Sequence, residues 1–406
     1  MAKPEGHRWA FKAHFRQRAF GWRSQPAILR IKEAVSEIRS TARKDPALAA
    51  DGAVAFLERL SPALEQVDGS SGAIGSAVNR AIDQLVPIVA TAPVNEPTRR
   101  RWLERLFEAL QADEVPYVER LGEFWGDLCA SKEIASEQAD LLIGITRRVL
   151  APERNPGDHF SGTSACLSAL HRAERYDELI EIAGREQVFW PYKRWAVRAL
   201  ASQGRKAEAL RLAESSRGPW SSDLEIDRLS EEILLSSGMS EEAYERYGLT
   251  AHRTGTYLAT FRAVAKRYPD KDARTILADL VETTPGEEGK WFATAKEMNL
   301  LEEALALARR SPCDPRTLTR AARDFSATQP KFAVGAGLLA LHWLVEGYGF
   351  DITSADVWAA YSATMEAAMH QGNAAEVEAQ IRDLVQAETF GQRFVSKTLG
   401  GQLGLP

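Results

Sequence analysis

Apolar residues recur at helical spacing along almost the whole chain, and short polar turns separate the runs. The clearest unit is residues 192–216, YKRWAVRALASQGRKAEALRLAESS, in which one apolar run ends at Gly204 and a second begins at Ala207. Apolar positions three or four residues apart share one face of an α-helix, and glycine readily adopts the positive φ common after a helix. The pattern predicts a helical hairpin, which needs neighbours because it cannot bury both faces alone.

Similar hairpins recur at nearly constant intervals. The position that Ala209 holds in its second helix has counterparts in four other segments, which are Glu178, Ala243, Ala273 and Ala304. The steps between successive marks are 31, 34, 30 and 31 residues. A later segment, QGNAAEVEAQI, has a similar pattern and places Val377 at the position equivalent to Ala209. Val377 lies 73 residues past Ala304, which leaves room for two more units. The chain is therefore predicted to be built mainly from repeated hairpins.

The period and the G-x-x-x-E-A-L pattern of QGRKAEALRL resemble the tetratricopeptide-like superfamily, over roughly residues 161–384. The resemblance implies an all-α fold of helical hairpins stacked as a right-handed α-solenoid, with the first helix of each hairpin lining a concave face. The whole chain, including FGWRSQPA, SSGAIGSAVN, WPYKRWAVRAL and TPGEEGKWF, also resembles an uncharacterised bacterial helical-repeat family. This second resemblance implies no activity.

The parts of the chain outside the repeats are less regular. Longer helical patterns fill residues 26–150, and the loop 151–162 cannot continue a helix because it holds two prolines and two glycines. No stretch of residues predicts a β-strand. The chain is predicted to divide into five segments. They are a basic and aromatic arm over 1–25, a helical segment over 26–150, a connector over 151–162, repeats over 163–386 and a tail over 387–406. The glycine-rich tail is expected to be poorly ordered or dependent on a partner.

Composition fits a cytoplasmic helical protein. The chain has 406 residues, 45% hydrophobic and 26% charged, and no apolar run approaches the roughly 18 residues of a membrane span. Charges throughout the first residues leave no visible secretory signal. Cys129, Cys166 and Cys313 lie far apart and form no C-x-x-C pair, so we interpret them as small buried apolar residues in a reducing compartment.

Charge is unevenly distributed along the chain. Residues 1–44 hold eleven Lys or Arg against three Glu, a balance of +8, which leaves −13 for the rest of a chain whose total is −5. The arm interleaves these cations with aromatic rings. Its candidate binding residues are Arg8, Trp9, Lys12, Phe15, Arg16, Arg18 and Trp22.

The arm has two interpretations. Cations that neutralise phosphates and rings that stack on bases are what single-stranded nucleic-acid binding uses. The same residues suit docking on the acidic body or on a partner; in a helical arm, Phe11, Phe15 and Trp22 would fall near one side, as in a partner-groove or membrane-surface helix. We favour docking, because mixtures of charge and aromatic residues are common and seldom specific.

No sequence motif predicts a metal, a cofactor or a catalytic group. The seven histidines never pair at i and i+4, and H-E-x-x-H and G-x-S-x-G are missing. In residues 284–290, TPGEEGK, only two residues separate the glycines where a phosphate loop needs four. Residues 335–340, GAGLLA, match the weaker dinucleotide fingerprint but follow no strand, so we interpret them as small residues between packed helices.

The resemblance places basic residues on the first helices of the hairpins, near several aromatic residues. The candidate partner-binding cations are Lys193, Arg194, Arg198, Arg262, Lys266, Lys290, Lys296, Arg320 and Arg323. A basic, aromatic-lined groove in an acidic protein selects acidic peptides, a C-terminal carboxylate or single-stranded nucleic acid. Taken singly, each of these residues is better explained as part of a solvated face, and only the set as a whole favours the groove.

The sequence leaves three functional hypotheses. The first is a scaffold or adaptor whose helical-repeat groove binds a protein or peptide. The second is binding of single-stranded RNA or DNA through the arm and the groove. The third is a hydrolase or transferase site between helical segments near residues 151–162, where His159 is a candidate residue.

Overall fold

A computed structural model describes residues 7–153, 159–219 and 221–405. Every regular element in these residues is helical, and none of them forms a strand. The prediction of an all-α fold is confirmed. The first six residues of the arm and residues 154–158 of the predicted connector lie outside the described part.

The chain packs as two compact units, Met1–Ile233 and Leu234–Pro406. The main core of the first unit runs from Trp9 to Ala199, so residues on both sides of the predicted connector share one core. No helix in the described ranges is both long enough and apolar enough to cross a membrane.

The first unit holds eleven α-helices and two short 3-10 helices in its described residues. The α-helices are α1 Ser24–Ala42, α2 Pro46–Leu64, α3 Ala73–Ala90, α4 Glu96–Gln111, α5 Trp125–Cys129, α6 Lys132–Val149, α7 Thr163–Arg172, α8 Tyr176–Ala183, α9 Trp190–Ser202, α10 Lys206–Glu214 and α11 Asp223–Leu235, at whose end the unit stops. The 3-10 helices are Ala10–Ala13 and Glu119–Phe124.

Side-chain caps and prolines fix where several of these helices begin. Asp45 accepts a hydrogen bond from the backbone N–H of Leu48 at 2.9 Å, and Pro46 occupies the first turn. Asn95 accepts one from Thr98 at 3.0 Å in the same way. A cap of this kind satisfies a backbone donor that the first turn of a helix leaves unpaired. Helices α1, α2 and α3 then pack against one another, with α2 the most deeply buried.

The second unit holds ten α-helices in its described residues. They are α12 Ser240–Ala243, α13 Tyr257–Arg267, α14 Ala273–Glu282, α15 Phe292–Glu297, α16 Leu301–Arg310, α17 Pro315–Asp324, α18 Pro330–Val345, α19 Ser354–Gln371, α20 Ala374–Gln386 and α21 Phe394–Leu403. A π-helical turn, Tyr244–Gly248, continues α12, and a 3-10 helix, Glu288–Trp291, precedes α15.

The six repeat marks all lie within helices, on α8, α10, α12, α14, α16 and α20. Ala209, Ala243 and Ala304 are fully buried, as equivalent positions should be. Ala273 is the exposed first residue of α14, so the assumed register is wrong in that hairpin.

The tail differs from the prediction, because residues 394–403 form α21. Glu388 is buried and accepts hydrogen bonds from the backbone N–H groups of Val395 at 3.0 Å and Ser396 at 2.6 Å. At the other end, Arg382 Nε donates to the carbonyl oxygen of Leu403 at 2.9 Å. Both ends of α21 are therefore fastened to the body of the second unit.

Candidate functional site

The aromatic face of the arm is buried in the first unit. Phe15 is fully buried, and its ring lies 4.9 Å from that of Phe56 on α2, in an edge-to-face contact. The ring of Phe11 meets Phe56 at 5.3 Å in the same geometry. The ring of Trp9 lies so close to Gly52 that a Cβ at this position would overlap it. The arm therefore docks on its own unit, which is one of the two kinds of docking that the sequence favoured over nucleic-acid binding.

Polar contacts hold the backbone of the arm. The carboxylate of Glu37 accepts a hydrogen bond from the N–H of Ala10 at 2.8 Å. The Arg18 guanidinium pairs with Glu65 at 2.9 Å, and this contact lowers the pKa of the Glu65 carboxyl. Beyond the 3-10 helix the arm is irregular, so the amphipathic helix considered from the sequence does not form.

The seven arm candidates separate into three groups. Trp9 and Phe15 are buried, and their rings cannot stack on a base in this arrangement. Arg18 is paired with a carboxylate. The remaining four are exposed, and they are Arg8, Lys12, Arg16 and Trp22, the last with 72% of its surface accessible.

The three predicted groove cations of the first unit are mostly used within the fold. Lys193 is only 6% exposed and donates to the carbonyl oxygen of Glu186 at 2.8 Å, and burial lowers its pKa. Arg194 forms an ion pair with Glu123 at 2.7 Å. Arg198 is half-buried and lies 5.0 Å from the ring centre of Trp195.

The six predicted cations of the second unit are also partly neutralised. Three form ion pairs, which are Arg262–Glu297 at 2.7 Å, Lys290–Glu287 at 2.5 Å and Arg323–Asp324 at 2.8 Å. Lys296 lies 6.0 Å from the ring centre of Phe325, and Arg320 donates to Thr317 Oγ1 at 3.2 Å. Lys266 is exposed. The contacts of these residues do not by themselves mark a binding surface.

The connector region has a small cavity, of about 190 Å³, that includes His159. Its other lining residues are Val149, Leu150, Gln187, Val188, Phe189 and Tyr192. This set of lining residues contains no carboxylate and no serine or cysteine nucleophile. Within the described ranges, no three His, Cys, Asp or Glu side chains come together as metal ligands. The enzyme hypothesis stays a prediction, because no group of catalytic side chains around this cavity supports it.

The three cysteines are buried, as predicted. Burial raises the pKa of Cys129 to about 12, of Cys166 to about 11 and of Cys313 to about 12. At neutral pH these groups are thiols rather than thiolates, and only the thiolate is a strong nucleophile. They act as small apolar residues of the core.

A basic groove of about 530 Å³ lies between α1 and α3. Its basic and polar lining residues are Lys32, Ser36, Arg39, Ser40, Arg43, Arg80 and Gln84. Its apolar lining residues are Ile31, Val35, Ala77 and Ala81, which are nearly inaccessible to solvent. The groove therefore has an apolar floor and a basic rim.

Helical periodicity explains this arrangement. Lys32 and Arg39 on α1 and Arg43 directly after it are separated by seven and four positions, so they project from neighbouring positions on one face. The side of α1 turned away from them carries the buried residues Ala34 and Ile38. On α3, the small side chains of Ala77 and Ala81 leave space where larger residues would fill the furrow.

The charged residues that line the groove are all positive, because no carboxylate lines it. Arg39 Nη1 donates to the Gln84 side-chain oxygen at 2.8 Å, which leaves its other N–H groups available. In the described structure, Lys32, Arg43 and Arg80 form no ion pair.

The same asymmetry extends over residues 7–90. All eight carboxylates in this range accept a hydrogen bond or form an ion pair, and these are Glu33, Glu37, Asp45, Asp51, Glu58, Glu65, Asp68 and Asp83. Nine described cations there pair with no carboxylate, and these are Arg8, Lys12, Arg16, Arg23, Lys32, Arg39, Arg43, Lys44 and Arg80. The available charge in this region is therefore positive.

No protein-family model, curated protein or solved structure matches this chain. The groove residues were not among the sequence candidates. A partial signal existed, because Lys32, Arg39 and Arg43 share one face of a predicted helix, but the contribution of Arg80 depends on how α3 packs.

Proposed function

We propose that this protein is a binding module that holds an acidic segment of a partner protein in the groove between α1 and α3. The observation that carries the proposal is a rim of four cations, Lys32, Arg39, Arg43 and Arg80, in a groove with no lining carboxylate. Hydrogen bonds between guanidinium and carboxylate groups are short and strong, and often bidentate. A protein with a net charge of −5 that exposes such a rim is suited to an acidic partner.

A protein partner fits the groove better than single-stranded nucleic acid. Proteins that bind single strands combine cations with exposed rings on which successive bases stack. The groove has no aromatic lining residue, and the rings of Trp9 and Phe15 are buried. Nucleic acid remains the second candidate because Arg8, Lys12 and Arg16 are exposed, and so is the ring of Trp22.

The helical hairpins provide the frame in this proposal. Their tetratricopeptide-like stacking, the scaffold role of residues 163–386, the bacterial resemblance and the cytoplasmic location stay predictions. The succession of packed helices supports the stacking, and the three free cysteines fit a reducing compartment.

The test is the affinity of the full-length protein for polyglutamate of about 15 residues and for a single-stranded oligonucleotide of about the same net charge. We expect the polyglutamate to bind with an affinity that falls between about 50 and 200 mM salt. The variant Lys32→Ala/Arg39→Ala/Arg43→Ala should weaken it by at least about tenfold.

The matched control is Arg101→Ala/Arg148→Ala/Arg309→Ala, which removes the same number of positive charges. These three arginines are exposed and pair with no carboxylate in the described structure. Oligonucleotide binding that exceeds polyglutamate binding and is lost in the groove variant would favour the second candidate. Equal affinity of the groove variant and the wild type for polyglutamate would contradict the proposal.

A further inference from the structure

We infer that the occupant of the groove is an amphipathic acidic α-helix of about three turns. This inference rests on the proposed function and adds the conformation and the residue pattern of the partner segment.

The first argument is the shape of the groove. Lys32 and Arg43 lie eleven positions apart on α1, a rise of about 16 Å along the helix. Residues of α1 line one wall and residues of α3 line the other. Two adjacent helices leave a furrow along their seam, and a third helix fills such a furrow by packing its side-chain ridges into it.

The second argument is the floor. Ile31, Val35, Ala77 and Ala81 leave only a narrow apolar strip accessible between the rim cations, and the two alanines are small enough for the backbone of a partner helix to approach closely. A helix with one apolar stripe would place apolar side chains against this strip. A uniformly acidic segment would contact the rim cations but place charged groups over the strip, so it should bind more weakly.

The third argument favours a helix over an extended peptide. An extended peptide commonly gains affinity by pairing its backbone N–H and C=O groups with a sheet edge. The backbone groups of α1 and α3 are bonded within the helices, so only the side chains of Ser36, Ser40 and Gln84 offer neutral hydrogen-bonding groups. Gln84 is already engaged with Arg39. A helix satisfies its own backbone and needs no such partners.

The charges on the rim then define the pattern of the partner. Lys32, Arg39 and Arg43 stand on the α1 wall, and Arg80 stands on the α3 wall. The matching helix carries an apolar stripe of Leu or Ala with Asp or Glu on both of its flanks, at spacings of three and four residues.

The test uses two synthetic peptides of about 15 residues, both built from Glu, Ala, Leu and Gln. The first has one leucine stripe with glutamates on both flanks. The second is identical except that two outward-facing alanines are replaced by prolines, which preserves the charge and the stripe but prevents the helix. We measure the affinity of both for the full-length protein by fluorescence anisotropy, and expect the helical peptide to bind at least about tenfold more tightly.

A charge-neutral variant locates the binding. Ser36→Leu places a larger side chain at an exposed position inside the groove without changing any charge. We expect it to weaken the helical peptide and to leave polyglutamate nearly unchanged. The control Arg101→Ala should bind both peptides as the wild type does.

The outcomes separate the two levels of the proposal. Equal affinity for the helical and the proline peptide would contradict the helical conformation of the partner segment and leave the proposal of an acidic partner in place. No binding of either peptide or of polyglutamate would overturn both. Unchanged affinity of the helical peptide for Ser36→Leu would show that it binds outside the groove and would also overturn the inference.

Discussion

Two regions of the first unit use their cations in opposite ways. Around α8, Arg175 pairs with Glu178 at 2.6 Å and with Asp140 at 2.6 Å, which ties α8 to α6. Around α1, Arg43 and Lys32 point into a groove that offers them no carboxylate. The chain supplies acidic residues to both regions, but near α1 other groups already occupy them. Glu37, for instance, receives the backbone of the arm.

The difference separates cations that hold the fold from cations that are available to a partner. A paired arginine links helices, so its loss should change stability more than binding. An unpaired cation on a rim stabilises little, so its loss should change binding more than stability. The following predictions are ordered from the largest expected effect to the smallest.

The arm contrasts a buried ring with a neighbouring exposed cation. Phe15→Ala should destabilise the first unit by about 4 kcal/mol, because it removes a large side chain from a packed core. Arg16→Ala should change the free energy of unfolding by less than about 0.5 kcal/mol, since Arg16 is exposed and pairs with no carboxylate in the described structure. Chemical denaturation of both variants checks this. Similar stabilities for the two variants would mean that the arm does not hold the fold.

Arg99 is the extreme case of a cation used by the fold. It is 4% exposed and donates to the carbonyl oxygens of Val89, Ala92 and Leu128, and burial lowers its pKa. Arg99→Met should cost about 3 kcal/mol, because buried carbonyl oxygens lose hydrogen bonds from a charged donor. The measurement is the unfolding free energy, and a loss below about 1 kcal/mol would contradict the assignment.

Arg175, which forms ion pairs, and Arg43, which forms none in the described structure, can be compared directly. Arg175→Ala should cost about 1 kcal/mol, because it removes contacts to Glu178 and Asp140. Arg43→Ala should leave stability within about 0.5 kcal/mol. In the binding assay the order reverses, and Arg43→Ala weakens the acidic peptide while Arg175→Ala does not. A variant that lost stability and affinity for the acidic peptide together would contradict the distinction between cations that hold the fold and cations that bind a partner.

The pH dependence provides a finer test. A hydrogen bond from Arg175 lowers the pKa of Glu178 from its ordinary value of 4.5. A carboxyl with a lower pKa in the folded state adds stability above its unfolded pKa, and this stability is lost as the pH falls through the folded pKa. Acidification below about pH 4.5 should therefore destabilise the wild type more than Arg175→Ala. Arg43→Ala should follow the wild type, because Arg43 forms no ion pair in the described structure.

The sequence predicted the elements of the fold better than the site. Helical periodicity was enough to identify the hairpin around Gly204, whereas the docking of the arm on its own unit was only one of the alternatives. The tetratricopeptide-like resemblance placed functional cations on first helices, but partners distant in sequence neutralise several of them. Arg194, for example, pairs with Glu123, and only the packing of the chain brings these residues together.

The groove and the last helix were missed for related reasons. The groove needs α1 and α3 side by side, and periodicity does not say which helices are neighbours. The start of α21 lacks an ordinary cap, because Arg393 has a positive φ of 54° and the capping carboxylate belongs to Glu388. Glycines at 400, 401 and 404 also weaken the helical pattern there.

A charge-swap titration tests the central claim most directly. The two probes are the helical acidic peptide and its counterpart with every Glu replaced by Lys. The protein variants are Arg39→Glu/Arg43→Glu and the control Arg101→Glu/Arg148→Glu, which changes the net charge by the same amount at two exposed cations outside the groove. We expect the groove variant to lose at least about tenfold in affinity for the acidic peptide and to gain affinity for the lysine peptide, while the control changes neither by more than about threefold. Equal responses of the two variants would show that net charge, and not this groove, governs binding.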